Sequence, residues 1–287
     1  MLWLPFSFLN AFFDSISSAL GKSGTQKIDV LSVAWSQRFF ALFILIPLVL
    51  VTHSFHSVNE TFWVALLSTS VLNTITSILF VKAIKNSPLS LTLPIVSFTP
   101  LFLLISSPFI VGEFPKPLGV IGIISTVIGS YILNLSKKIH GPFEPILSIF
   151  KEEGSRFMLI VAIIWSITSN IDKIAVKNSN PLLFSLASTA AILLFLTIVL
   201  QIKKTSFNTI FRKSKVLAPI GFASGLSTVF QMIAISITIV PNVITVKRTS
   251  AIFGTVWGKL FFKEENIKER LVGTIIMVIG VVLITLG

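Results

Sequence analysis

Apolar residues recur along the chain in ten blocks, at about 3–20, 31–51, 62–81, 88–110, 118–135, 157–176, 182–201, 216–236, 242–262 and 271–286. Each is close to the roughly 20 residues of helix needed to cross about 30 Å of hydrocarbon. The polar stretches between them are short. The longest, Ser136 to Arg156, is the size of a connector and too small to enclose a core of its own. The expected fold class is therefore an all-α membrane protein of ten transmembrane helices, with no domain outside the bilayer. A cleaved secretory leader places basic residues before its apolar run. Here the first is Lys22, beyond the first block, so that block is expected to remain as helix one.

Composition sharpens this picture. The residues are 53% hydrophobic and 12% charged, the latter about half the share found in soluble domains. A net charge of +12 could serve to neutralise nucleic-acid phosphates, but the distribution of the charges points elsewhere. Seventeen of the 23 Lys and Arg residues fall on or beside odd-numbered connections, Lys82, Lys137, Lys203, Lys213 and Lys268 among them; the even-numbered connections hold only Lys116, Lys173 and Lys177. Such a bias across short loops is the positive-inside signature. It sets the odd connections in the cytoplasm, both tails outside, and the protein in the cytoplasmic membrane of a prokaryotic cell. Lipid is then the expected partner, and nucleic acid is not. No cysteine occurs, which excludes disulfides and thiolate metal sites. His53, His56 and His140 lie in short connections without the further convergent ligands zinc requires. Walker, dinucleotide-binding, HExxH and nucleophile-elbow patterns are absent, so neither an enzyme nor an ATP-driven pump is expected, and no cofactor.

A shift of 151 positions lays the chain on itself. It places Glu113 on Glu264, Gly122 on Gly273 and Val127-Ile128-Gly129 on Val278-Ile279-Gly280; upstream it places Ser15, Ile16, Ser18 and Lys22 on Ser166, Ile167, Ser169 and Lys173, and Ala83-Ile84 on Ala234-Ile235. The polar and glycine matches carry the argument, since apolar residues coincide by chance in any membrane protein. Residues 1–136 form a first repeat of helices one to five, 152–287 a second of helices six to ten, and 137–151 the connector. Five spans is an odd number, so the second repeat enters the membrane inverted. Two near-equivalent inverted halves can rock about a midplane site, a recurrent transporter design. Pro100 followed by Glu113, Gly122 and Gly129, with Arg38 opening a long apolar helix, resembles the EamA-type module of the drug/metabolite transporter superfamily. The second half resembles it again through Glu264, Gly273, Gly280 and the run from Trp165 to Lys173, with Ala251 where that module has a proline. The resemblance implies ten helices around a central cavity and movement of a small organic solute. Members of that superfamily include amino-acid and metabolite exporters, nucleotide-sugar transporters and plastid phosphate translocators.

Ionisable side chains within a span are costly unless they meet a cavity or a partner, which makes them candidates for solute contact. Asp14 lies in the middle of helix one, Arg38 in the first half of helix two, Asp172 and Lys173 late in helix six, and Lys247 and Arg248 about a third of the way into helix nine. Neighbours on a helix point about 100° apart, so Lys247 and Arg248 cannot pair with each other and need an anion. Asp14 and Asp172 supply it, or a substrate carboxylate or phosphate does. The structural alternative has Lys247 reaching to the interface and Arg248 in an ion pair. An adjacent Lys-Arg in helix nine resembles the plastid phosphate translocators, where such a pair meets the substrate phosphate. Their further lysine from helix four has no counterpart in residues 88–110, which leaves a monoanionic solute open. Asp14 is also a candidate proton carrier. Asn170, like Asn10, Asn73 and Gln231, is a candidate for polar contact, with solute or between helices. Helix four carries Pro88, Pro94, Pro100 and Pro108 and is expected to kink. Gly122, Gly129, Gly273 and Gly280 are expected at close helix packing or at a dimer contact, and Glu113 and Glu264, at helix ends, as capping or boundary residues. The leading expectation is a secondary transporter of a small polar or amphipathic organic solute. An organophosphate or nucleotide-sugar antiporter, a lipid flippase and a membrane-embedded enzyme are the alternatives.

Overall fold

The computed structural model describes residues 2–25, 28–55, 57–86, 94–134, 141–205, 207–262 and 267–287, and among these the chain is helical, with no strand. The helices are α1 (Trp3–Thr25), α2 (Val30–Val51), α3 (Glu60–Asn86), α4 (Thr99–Ile110), α5 (Pro117–Asn134), α6 (Glu144–Lys151), α7 (Glu153–Lys177), α8 (Pro181–Ile202), α9 (Phe207–Arg212), α10 (Ser214–Ile237), α11 (Val240–Lys247), α12 (Ser250–Phe262) and α13 (Ile267–Leu286). Five are long and apolar enough to cross a membrane, through Leu31–Val51, Glu60–Phe80, Glu153–Lys177, Pro181–Ile202 and Ser214–Ile237; Pro94–Ile110, Pro117–Leu133 and Leu271–Leu286 are shorter apolar helices. Phe43, Trp63, Ile105, Phe109, Leu194 and Ile279 are exposed. In water so many outward apolar side chains would drive association; in hydrocarbon they are solvated. His56, Pro88, His140 and Glu264 lie outside the described residues.

Local chemistry sets the helix ends. Asp29 caps α2, its carboxylate accepting from the Ser32 N–H at 3.3 Å. Asn180 caps α8, accepting from the Leu182 and Leu183 N–H groups at 3.0 and 2.9 Å, with Pro181 in the first turn. The carboxyl ends of α2 and α8 close in the same way. Thr52 N–H donates to Leu48 O and Lys203 N–H to Val199 O, both at 3.1 Å; Ser54 N–H reaches Val49 O at 3.1 Å and Thr205 N–H reaches Leu200 O at 3.0 Å. His53 (φ 47°) and Lys204 (φ 52°) take the left-handed position between them, a Schellman closure without the usual glycine. These two residues are 151 positions apart, so the duplication extends to backbone geometry that no side-chain identity announces.

The described chain divides into two compact units, residues 76–170 with 238–287, and residues 2–75 with 171–237. Each draws on both halves of the sequence. In the first unit Ala83, Ile95, Val96, Met158 and Val161 form a buried cluster against which Phe98, Ile149 and Trp165 pack. Here α5 and α13 cross at backbone contact: a Cβ on Gly122 would stand 2.6 Å from Gly280 O, and one on Gly129 2.6 Å from Gly273 O. Residue numbers rise along one helix as they fall along the other, so the pair is antiparallel. Under the shift of 151, each glycine meets the repeat image of the other. The contact is self-complementary, like the interface of a two-fold dimer, but it lies within one chain. Of the two expectations for these glycines, close helix packing is the one seen.

In the second unit Ala41, Leu45 and Val229 pack with Leu48, Leu182, Leu186 and Ile233. Polar groups there bond across helices: Trp35 Nε1 donates to Thr197 Oγ1 at 2.8 Å, Ser17 Oγ to Ile220 O at 3.2 Å and Ser227 Oγ to Asn10 Oδ1 at 2.8 Å, while Asn10 Nδ2 approaches Gln231 Oε1 at 3.5 Å. Hydrocarbon offers such groups nothing, so pairing them inside the bundle is the low-energy solution.

Candidate functional site

The fourth and ninth apolar blocks are both interrupted, and at the same place in each repeat. The block expected as one helix over 242–262 is two, α11 and α12, meeting at Arg248-Thr249. The block over 88–110 breaks at Ser97-Phe98, its residues 88–93 lying outside the described set. At the first break Ser97 N–H bonds Pro94 O at 3.2 Å, Phe98 bonds Ile95 at 3.1 Å and Leu101 bonds Phe98 at 2.9 Å. At the second Arg248 bonds Thr245 at 3.0 Å, Thr249 bonds Val246 at 2.9 Å and Ile252 bonds Thr249 at 2.9 Å. Every bond maps onto its counterpart under the shift of 151. All close over three residues instead of four, a local tightening that in mid-helix marks a hinge or a strained segment.

The two breaks have different causes. Pro100 has no N–H and its ring opposes the carbonyl of Val96, which accepts from Thr99 Oγ1 at 2.8 Å instead. In the second repeat Ala251 stands in the proline's place and donates to Arg248 O at 3.1 Å. Thr249 Oγ1 then takes the Val246 carbonyl at 2.7 Å. Hydroxyl back-bonding of this kind bends helices, so the turn survives without the proline.

Their side chains differ as well. Ser97 Oγ shares a 2.8 Å hydrogen bond with Ser130 Oγ, and Phe98 stacks on Tyr131 with ring centres 5.5 Å apart. That turn is neutral and packed against α5. At the second turn Lys247 ends α11 and Arg248 is its C-cap, both half-buried. A cation at a helix carboxyl end is favoured by about 0.3–1 kcal/mol, and α12 opens directly after it with the positive end of its own dipole. Backbone N–H groups at a helix amino end favour an anion, and Lys247 and Arg248 lie directly before this one in sequence.

The amino end of α11 is fixed by a residue remote from it along the chain. Glu113 Oε2 accepts from Val240 N–H at 3.2 Å, placing a carboxylate where the helix dipole favours one. Gly112, at φ 71°, supplies the left-handed step that turns the chain there. Glu113, expected as a capping or boundary residue, thus seats the amino end of the half-helix that ends in Lys247. A carboxylate suited to a helix amino end was visible in the sequence; its partner, remote along the chain, was not.

Asp172 and Lys173 are buried. Thr69 Oγ1 donates to Asp172 Oδ1 at 2.5 Å and accepts from Asn73 Nδ2 at 3.0 Å. Arg38, like Asp172, belongs to the second unit. Asp14, in the same unit, is half-buried. Asn170 is fully buried in the first unit: its Oδ1 accepts from Ser107 Oγ at 2.7 Å, and its Nδ2 donates to Ser106 Oγ at 3.0 Å and Ser166 O at 2.8 Å. These bonds occupy both its amide protons and its carbonyl. Lys247 and Arg248 belong to the first unit; Asp14, Arg38, Asp172 and Lys173 belong to the second.

A multi-pass bundle of apolar helices, duplicated and broken at repeat-related positions, is the architecture of a membrane transporter. The chain belongs to the EamA-like transporter family, whose sequence profile matches residues 1–135 and 153–286, once in each half. Among 29 solved chains that match, one crystal structure aligns over 99% of this chain and 96% of its own, with a TM-score of 0.74 at 16% identity. At that identity the likeness shows the fold alone. No curated protein sequence matches the chain.

Proposed function

We propose that the protein is a secondary transporter with ten spanning helices that moves a small organic metabolite across the cytoplasmic membrane by alternating access. An anionic group of the solute is held at the turn between α11 and α12. The observation that carries this reading is the pair of helix breaks, alike in backbone and unlike in charge. Repetition of the break suits a site that opens to either side in turn, because two inverted halves can exchange conformations about it. A cation in one break only gives the solute's charged group a single seat. Arg248 offers a planar fork that grips a carboxylate or phosphate through two bonds, and Lys247 adds a mobile point charge. Arg38, Asp172, Lys173 and Asp14, all within the second unit, are a separate group of candidate solute contacts. Asn170 serves chiefly to hold its helix to Ser106 and Ser107.

The adjacent pair of cations also favours a second reading, exchange of organophosphates, because a dianion would use both charges; the neutral Ser97 turn favours the monoanion. Counterflow in reconstituted vesicles separates these readings. Labelled amino acids, sugar phosphates and nucleotide sugars are offered to vesicles preloaded with the same unlabelled compound. Saturable uptake accelerated by the preloaded compound is expected for a monoanionic metabolite. Acceleration confined to sugar phosphates would select the organophosphate reading, and no acceleration by any compound would refute carrier exchange.

A further inference from the structure

The connector between the repeats holds a short helix, α6, whose faces are arranged the wrong way round for water. Phe143, just before it, and Ile146, Leu147 and Phe150 recur at the spacing of one helical face. All four are exposed, Phe143 at 68% and Phe150 at 81%. The opposite face is docked. Pro145 and Ser148 are buried, Ser148 Oγ bonds Ser155 Oγ at 2.7 Å and Pro145 O at 2.6 Å, and Ile149 packs on the Ala83–Met158 cluster. The helix therefore packs Pro145, Ser148 and Ile149 on one side and turns its larger apolar side out.

Where it sits determines what covers that side. Tyr131, in the last turn of α5, donates its hydroxyl to Pro142 O at 2.7 Å, and only Glu152 separates α6 from α7. Both ends are thus held level with the ends of apolar helices. Eight residues extend about 12 Å, far less than a span. Lys151, next to Phe150 in sequence, and Arg156, in the first turn of α7, are exposed; exposed cations accompany helices that lie along a membrane surface, where the apolar side enters about 5–10 Å into the boundary between headgroups and acyl chains.

We propose that Phe143, Ile146, Leu147 and Phe150 are seated in the lipid–water interface, so that the one covalent link between the two repeats is a membrane-anchored helix. The proposal needs the chain to be a membrane protein and stands whatever its solute. It fits the placement of both ends, the spacing of the apolar face and the exposed cations near it in sequence, whereas a water-facing connector would expose the four side chains to solvent.

The chain contains no cysteine, so Leu147→Cys, Phe150→Cys and Lys151→Cys each provide a single labelling position. Each variant, checked for unchanged melting, carries an environment-sensitive nitrobenzoxadiazole probe in phosphatidylcholine vesicles at low protein density. The lipids are brominated either near the headgroup or near the chain end. Probes at 147 and 150 are expected to emit at shorter wavelength than the probe at 151 and to lose most emission to the shallow bromines, less to the deep ones. The probe at 151 should be quenched by aqueous iodide. Probes at 147 and 150 that respond to iodide and not to bromolipid would overturn the proposal in favour of exposure to water. Probes shielded from both quenchers, more so as protein density rises, would overturn it in favour of a second copy of the chain.

Discussion

Alanine at Gly280 would place a methyl group 2.6 Å from Gly122 O and 2.7 Å from Thr126 N, and also against Thr126 Oγ1. The first two atoms are backbone, so no rotamer change relieves the contact and α5 must part from α13. Overpacking of this kind costs about 1–3 kcal/mol. Contacts this short, two of them to backbone, put the cost in the upper part of that range, about 2–3 kcal/mol; replacing a helical glycine returns up to about 1 kcal/mol of propensity, so the net loss should be about 1–2 kcal/mol. At roughly 2 °C per kcal/mol for chains of this size, the apparent Tm should fall by about 2–4 °C. Gly254 is the control, since a Cβ there meets nothing within 4 Å, and Gly254→Ala should leave the Tm equal or higher. The assay is thermal unfolding of purified protein followed by intrinsic fluorescence. Gly122→Ala should cost a similar amount, because it loads the same crossing point from the other helix, its Cβ 2.6 Å from Gly280 O and 2.8 Å from Ile284 N. The double variant should cost less than the sum, with a coupling of about 0.5–3 kcal/mol, since one separation relieves both clashes. Gly280→Ala melting at or above the parent would refute the antiparallel glycine crossing.

Glu113→Ala removes the carboxylate beneath α11 and should destabilise by about 0.5–2 kcal/mol, whereas Glu113→Asp recovers part of the loss; paired thermal melts check both. Thr69→Val deprives the buried Asp172 carboxylate of its hydroxyl donor and should cost about 1–3 kcal/mol, while Thr69→Ser, which keeps the hydroxyl, should cost clearly less in the same melts. A reporter active only in the cytoplasm is expected to be silent when fused after Gly287 and active when placed in the Lys203–Lys215 connection. The reverse pattern would overturn the orientation and leave the repeat intact.

The apolar blocks and the duplication were legible in the sequence for physical reasons. Hydrocarbon demands length and apolarity of each block, and the polar and glycine matches fall where inverted halves meet, as Gly122 and Gly280 do. The break in the first repeat announced itself through Pro100. Its counterpart did not, because Ala251 carries no breaker signal and the bend is held by the Thr249 hydroxyl, an ordinary residue in any helix. Left-handed closures at His53 and Lys204 were equally silent, lacking glycine. Adjacency of Lys247 and Arg248 made them candidates from charge alone, but their position at a helix end depends on the bend. The seating of α11 on Glu113, the pairing of Asp172 with Thr69 and the bonds of Asn170 to Ser106 and Ser107 link residues far apart along the chain, and no local pattern encodes them. The helix within the connector was hidden by its length, since eight residues are too few to stand out in a stretch read as loop.

Whether the turn between α11 and α12 holds the charged group of a solute is decided most directly by thermal shift of the purified protein against amino acids, sugar phosphates and nucleotide sugars. The comparison is between the parent, Lys247→Gln and Arg248→Lys. A solute at about 100 times its Kd adds about 2.7 kcal/mol to the native state, and losing one contact to a desolvated charge removes about 2–5 kcal/mol, more than a tenfold loss of affinity. The expected result is an anionic solute whose shift largely disappears in Arg248→Lys, which keeps the charge and loses the fork, while a neutral analogue shifts both proteins alike. An anion shift unchanged in both Lys247→Gln and Arg248→Lys, with both variants folded, would contradict it and leave the cations as structural caps of α11.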